Sequence, residues 1–180
     1  MNAVFFVLFG LVLCFGFVLL FGAPYLPTLS KQVDEALDMI DLAPGQTLLE
    51  LGCGDGKVMI AAAARGWNVI GYELNPLLAF VAWLRTLKYR GQTHARQGTA
   101  KVVCGNFWNK KWPPADGIFV FLLDKYMSKL DTKITQDVVS PIKVISFVFK
   151  IPAKQPAIEH KGLYLYEYTG RDRSPSLHHQ

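Results

Sequence analysis

The pattern of apolar and polar positions changes character near residue 30. From Ala3 to Ala23, apolar residues and glycine run without a break for twenty-one positions. About 20 such residues are needed for a helix to cross a bilayer's hydrocarbon core. Phe5, Phe6, Phe9, Phe15, Phe17 and Phe21 stand among Leu and Val, so apolar side chains occupy every face. That excludes an amphipathic surface helix. Pro24 and Pro27 end the run, and Tyr25 falls where a headgroup-level aromatic belongs. Residues 1–29 therefore read as a transmembrane anchor with a proline-containing connector. A cleaved signal peptide is the competing reading. It is disfavoured by the lack of a basic residue in Met1–Asn2, by the length of the run and by the absence of an A-x-A site after it.

Beyond residue 30 the periods are those of an α/β domain. Val33, Ala36, Leu37 and Ile40 share one stripe of a short helix opening at Ser30. After the turn at Pro44-Gly45, Thr47–Leu51 reads as a buried strand, and Val58–Arg65 as an alanine-rich helix stopped by Gly66. Asn68–Glu73 is the second strand. Asn75 caps the next helix, Pro76 takes its first position, and the helix is expected to reach about Tyr89. Further strands fall at Lys101–Cys104, Gly117–Leu123, Val144–Phe149 and Gly162–Tyr168, with a helix from Tyr126 to about Val138. Strands alternating with helices predict a mostly parallel sheet of about six strands with helices on both faces. The last two strands lack a helix between them and are candidates for antiparallel pairing. The domain spans residues 30–170, and residues 171–180 form a polar tail expected to be loose.

Charge is confined to the domain. The first thirty residues carry none, so the net +5 belongs to the rest. Between Arg85 and Lys111 stand seven basic residues and no acidic one. Such a run fits anionic lipid, nucleic acid or an ordinary solvated face, and the apolar anchor favours lipid over nucleic acid. All the positive charge follows the anchor, which places the domain on the cytoplasmic side. The three cysteines, Cys14, Cys53 and Cys104, form no metal-ligand spacing, so no metal is expected.

The candidate chemistry lies in Gly52-Cys53-Gly54-Asp55-Gly56, at the carboxyl end of the first strand, where open α/β sheets bind ligands. The dinucleotide pattern GxGxxG would need glycine at position 57, which is Lys57. Glu50 and Asp55 crowd the loop with negative charge, which repels a pyrophosphate. S-adenosylmethionine carries a sulfonium and an ammonium and suits such a loop. Glu73, ending the second strand, can accept from both hydroxyls of a ribose.

Leu48-Leu49-Glu50-Leu51-Gly52-Cys53-Gly54-Asp55-Gly56 resembles motif I of class I S-adenosylmethionine-dependent methyltransferases. Gly71-Tyr72-Glu73-Leu74-Asn75-Pro76 resembles their acidic motif, and Cys104-Gly105-Asn106-Phe107 the motif that meets the adenine. The likeness covers roughly residues 30–170 and implies a Rossmann-like methyltransferase fold. It implies a cofactor site of Glu50, Gly52, Gly54, Asp55, Gly56, Glu73, Leu74, Asn106 and Phe107. With its apolar N-terminus, the chain also resembles the membrane-anchored lysine methyltransferases of the ATP synthase c subunit and the adenine nucleotide carrier, and their bacterial relatives. That likeness implies N-methylation of lysine in a membrane protein. No transit peptide is visible, so a bacterial inner membrane is expected, or a mitochondrial membrane for a eukaryotic chain.

The acceptor site is expected after the fourth strand, where Asp124 and Tyr126 are candidates to orient the amine. Alternatively Asp124 caps the following helix and Tyr126 packs. The Asn/Asp-Pro-Pro-Tyr motif of amino-group methyltransferases is absent. No inserted substrate domain is available, so recognition is expected to fall to the short loops, the helix at Ser30–Ile40 and orientation by the bilayer. Trp108 and Trp112, beside Lys110 and Lys111, are candidates for an interfacial rim or for ordinary packing. Two other functions stay open: methylation of a lipid or quinone-type small molecule, and a tethered cofactor-binding protein without catalysis.

Overall fold

A computed structural model describes residues 4–6, 9–10, 30–91, 97–152 and 154–170. The expected anchor at 3–23 and the tail at 171–180 therefore lie largely or wholly outside the described residues. Among those described, no helix is long and apolar enough to cross a membrane.

Seven strands form one sheet: β1 (Thr47–Leu51), β2 (Asn68–Glu73), β3 (Ala100–Cys104), β4 (Gly117–Val120), β5 (Ile142–Phe147), β6 (Ile158–His160) and β7 (Leu163–Tyr168). Their order is β3-β2-β1-β4-β5-β7-β6. The first five are mutually parallel, and β7 runs antiparallel to both β5 and β6. Four described helices cover it: α1 (Ser30–Ile40), α2 (Lys57–Ala64), α3 (Pro76–Arg85) and α4 (Met127–Asp137).

Strand alternation sorts the core into two layers. Leu48, Val69, Phe119, Ile145 and Leu165 face α1, α2 and Ala82 of α3. Leu49, Leu51, Ile118, Val120, Val144 and Tyr166 face the other way, onto Met127, Leu130 and Ile134 of α4. The two faces are unequally dressed. On the second face the chain between β3 and β4 supplies a 3-10 turn at Phe107–Asn109 and the buried Trp112, whose Nε1 donates to the Phe107 carbonyl at 3.1 Å. Among the described residues between β5 and β6 there is no helix either. That crossing is fastened by Ser146 Oγ donating to the Phe149 carbonyl at 2.7 Å and the Ile151 amide donating to Tyr166 Oη at 2.9 Å.

The structure corrects several boundaries. The sheet has seven strands, because Ile158–His160 adds an exposed edge strand. β4 stops at Val120, short of the expected Leu123. α3 stops at Arg85, and a 3-10 turn follows at Leu87–Tyr89. Thr86 Oγ1 donates back to the Ala82 carbonyl at 2.7 Å, and a hydroxyl competing in this way disturbs a helix's last turn.

Candidate cofactor and acceptor site

β1 lies between β2 and β4, so the loops leaving β1 and β4 turn to opposite faces and open a cleft at the strand ends. The loop from Gly52 to Gly56 forms one wall. Gly52, Gly54 and Gly56 have φ of +91°, +53° and +79°, the left-handed region that glycine enters freely. A Cβ on Gly52 would meet nothing within 4 Å, so the backbone there borders open space. Behind the loop there is no such room. A Cβ on Gly71 would come within 2.5 Å of Met59 Sδ and 2.8 Å of Cys53 Cβ, so β2 must present bare backbone to the loop.

Glu73 is buried and braces this wall. One carboxylate oxygen accepts from the Gly54 amide at 2.9 Å and the other from the Asn75 amide at 2.8 Å. A carboxylate has about four acceptor positions, so each oxygen can take another donor, such as a ribose hydroxyl. Asn75 caps α3 as expected, its Oδ1 accepting from the Leu77 amide at 2.9 Å. Leu74 is half-buried between the two.

Glu50 sits on the α2 side of the sheet and accepts from the Met59 amide in the helix's first turn. It is buried, and its Oε2 has no hydrogen-bond partner among the described residues. Burial, and then the charges of Asp55 and Glu73, push its carboxyl well above the usual range. Burial and the Glu50 and Glu73 charges likewise raise the Cys53 thiol, which keeps it an unreactive neutral group. Asp55 accepts from the Lys57 amide at 3.3 Å, and its carboxylate pairs with Arg85 of α3. Three carboxylates around one glycine loop, one holding an orphaned buried oxygen, fit a ligand that brings positive charge and hydroxyls. S-adenosylmethionine, with its sulfonium, ammonium and ribose, has that chemistry.

The other candidates divide. Asn106 Oδ1 accepts from the Trp108 amide at 3.0 Å, so it caps its own 3-10 turn, leaving its amide nitrogen for another partner. Phe107 is buried in the second core layer against Trp108, 4.6 Å between ring centroids. Asp124 is exposed and Tyr126 half-buried, in a 3-10 turn beyond β4. Of the alternative, the capping half fails, because the cap position of α4 is Tyr126 and no side chain fills it, while the packing half holds, because Tyr126 packs against the second core layer. Trp112 is core, which removes it from any interfacial rim. Trp108 joins the two groups of candidates, its ring 6.2 Å from that of Tyr126. Among the described residues, no group of three or more His, Cys, Asp or Glu is placed to hold a metal ion.

Residues 50–158 match the family described as the ANTKMT methyltransferase domain. The chain belongs to the ANTKMT methyltransferase family. It is an enzyme of the S-adenosylmethionine-dependent methyltransferase class, with the Rossmann-like fold of that class. A human lysine N-methyltransferase, named for the ATP synthase c subunit, is 28% identical over 87% of this chain and 69% of its own length. A protein-lysine N-methyltransferase of Saccharolobus islandicus is 31% identical over 74% of this chain and 81% of its own. The chain spans only 51% and 59% of the mouse and rat relatives it matches. The fold also matches an RNA methyltransferase from Salinibacter ruber solved with S-adenosyl-L-homocysteine, with TM-score 0.70 and 23% identity over 84% of this chain and 97% of that one.

Arg85 contacts the glycine loop in a way that the sequence pattern does not reveal. Its Nη1 also donates to the Asp55 carbonyl at 3.0 Å, fastening the loop to the end of α3 thirty residues on. Nothing local to the glycine loop announces it.

Proposed function

We propose that this chain N-methylates a lysine side chain in a membrane protein, at the cytoplasmic face of the membrane to which residues 3–23 tether it. The observation that carries the reading is the acidic glycine cradle with its orphaned Glu50 oxygen. The named activities of the human and Saccharolobus relatives support lysine as the acceptor. In this reading Glu50 and Asp55 face the cationic end of S-adenosylmethionine. Glu73 accepts from the ribose hydroxyls, while Leu74, Asn106 and Phe107 border the adenine. The glycines let the backbone approach.

The cofactor supplies a methyl group on a sulfonium, which passes to the amine lone pair as sulfur takes back its bonding electrons. The protein's task is alignment, since an in-line displacement gains chiefly from proximity. A lysine amine, with an ordinary pKa of about 10.4, must also shed a proton before it attacks. In this reading Asp124 and Tyr126, in the 3-10 turn beyond β4, orient the amine and pass its proton to water. Trp108, touching both Phe107 and Tyr126, keeps the acceptor end aligned with the cofactor end.

The test is a titration of S-adenosylmethionine into the full chain in detergent, beside Gly54→Arg and Glu73→Ala. Labelled methyl transfer to membrane fractions is then followed, with digestion to locate the label. Binding lost in both variants and label recovered as methyl-lysine support the proposal. Label recovered in the lipid extract sinks the lysine assignment, and a folded chain that does not bind sinks the whole reading.

A further inference from the structure

The outer face of α3 is apolar where a helix of a water-surrounded domain is normally polar. Leu77, Phe80 and Leu84, at helical spacing, are 38%, 55% and 45% exposed, and Leu87 in the next turn is 44% exposed. Phe80 stacks on Trp83 at 5.8 Å. A groove of about 320 Å³ continues the apolar surface from the helix to the edge strand β3, lined by Pro76, Ala79, Phe80, Trp83, Val102 and Cys104.

The flanks are basic. Lys88 and Arg90 are exposed, and Arg90 lies over the Trp83 ring, 5.0 Å from its centroid. From Pro76 to Gly91 there is no carboxylate. Asp55 pairs with Arg85 at the end of the helix, and Glu73, just before it, is buried. Exposed aliphatic and aromatic groups on one helix face, rimmed by Lys and Arg, are the composition of a surface that lies in a lipid headgroup region. α1, on the same side of the sheet, has the opposite character. Its outer positions include Asp34 and Asp38, which share the single cation Arg65 and so leave a net negative charge that an anionic surface would repel.

From this we infer that the α3 face, with the groove beside β3, is a bilayer-docking surface whose occupant is anionic lipid. The inference adds to the tether of residues 3–23 and does not rest on it. Docking would have a direct bearing on the site, because the helix cap Asn75 is bonded to Glu73 at one end of α3, and Arg85 at the other end holds Asp55. The helix laid on the bilayer would set the height and tilt of the cofactor loop over the membrane.

Cys104 is exposed and lines the groove, so it reports whether lipid covers it. The full chain carrying Cys14→Ser is mixed with vesicles of phosphatidylcholine alone or with phosphatidylglycerol added, and floated. Modification of Cys104 by a water-soluble maleimide is then timed and mapped by peptide. The expected result is roughly tenfold slower modification on the anionic vesicles, lost when Phe80→Glu and Leu84→Glu are introduced together. Flotation with both vesicles but equal modification rates overturns the docking surface and leaves the tether standing. Flotation with anionic vesicles alone, with Cys104 shielded, supports docking and sinks the tether. Flotation with neither overturns both. Shielding that survives the two glutamates, or that RNA or a detergent-held membrane protein reproduces without vesicles, also overturns the inference.

Discussion

Arg85 and Asp55, thirty residues apart, are joined twice: the guanidinium donates to the Asp55 carbonyl at 3.0 Å and pairs with its carboxylate. The end of α3 thereby holds the loop that follows β1. The pair is partly exposed, 40% and 23% by side chain, so its direct worth is about 0–1 kcal/mol. Arg85→Ala is expected to weaken S-adenosylmethionine binding only modestly, about threefold to tenfold, an effect that shrinks at high salt. Hydrogen exchange should show faster exchange at the Gly54–Gly56 amides with the rest of the sheet unchanged. Unaltered loop exchange would contradict this.

Gly71 has no space for a methyl group beside Met59 and Cys53. Gly71→Ala should lower stability by about 1–3 kcal/mol, the usual cost of overpacking a core. Met59→Ala in the same chain should restore part of it, since the Met59 sulfur is the nearest obstruction. Denaturant unfolding of the single and double variants measures both effects, and simple additivity would refute the stated cause.

The raised Glu50 carboxyl makes cofactor binding pH-dependent. In the free protein it keeps its proton above the ordinary value of 4.5, so stability of the free protein falls as pH climbs from there to the raised value. A cationic ligand favours the ionised form and pulls that value down. Binding should therefore release a proton and tighten as pH rises across the same window. Calorimetry in two buffers of different ionisation enthalpy measures the release, and Glu50→Gln should abolish it.

Tyr168 donates to Asp131 at 2.6 Å, and burial followed by that carboxylate drives its phenol far up. Burial raises Tyr72 and Tyr166 as well. Above about pH 10 the unfolded phenols ionise while the folded ones do not, so stability should fall as pH rises through that value. Tyr168→Phe should cost about 1 kcal/mol at neutral pH and flatten the alkaline decline. A decline of unchanged steepness would count against it.

Much of the fold was legible because local signals agreed. Ser30–Ile40, Thr47–Leu51 and Asn68–Glu73 form as expected, each carrying one clean period and bounded by a cap, a turn or glycine. Asn75-Pro76 opened its helix as written. The errors came where tertiary partners decide. Phe121–Leu123 has strand composition, but pairing with β1 and β5 ends at Val120. Ile158–His160 is short and wholly exposed, and only β7 beside it makes it a strand. At the site the glycines and acids were visible in the chain. The Glu73–Gly54 bond, the Arg85 fastening and the Trp108 contact with Tyr126 depend on distances no sequence period encodes.

The Gly54 amide donates to Glu73, a bond between two of the protein's own groups that forms as the sheet and its loop fold. A mould set before casting has no shape to find when the ligand arrives, so its entropy of ordering has been met during folding. Capture should then run at the pace of encounter, and differences between cofactor analogues should appear in how long each one stays.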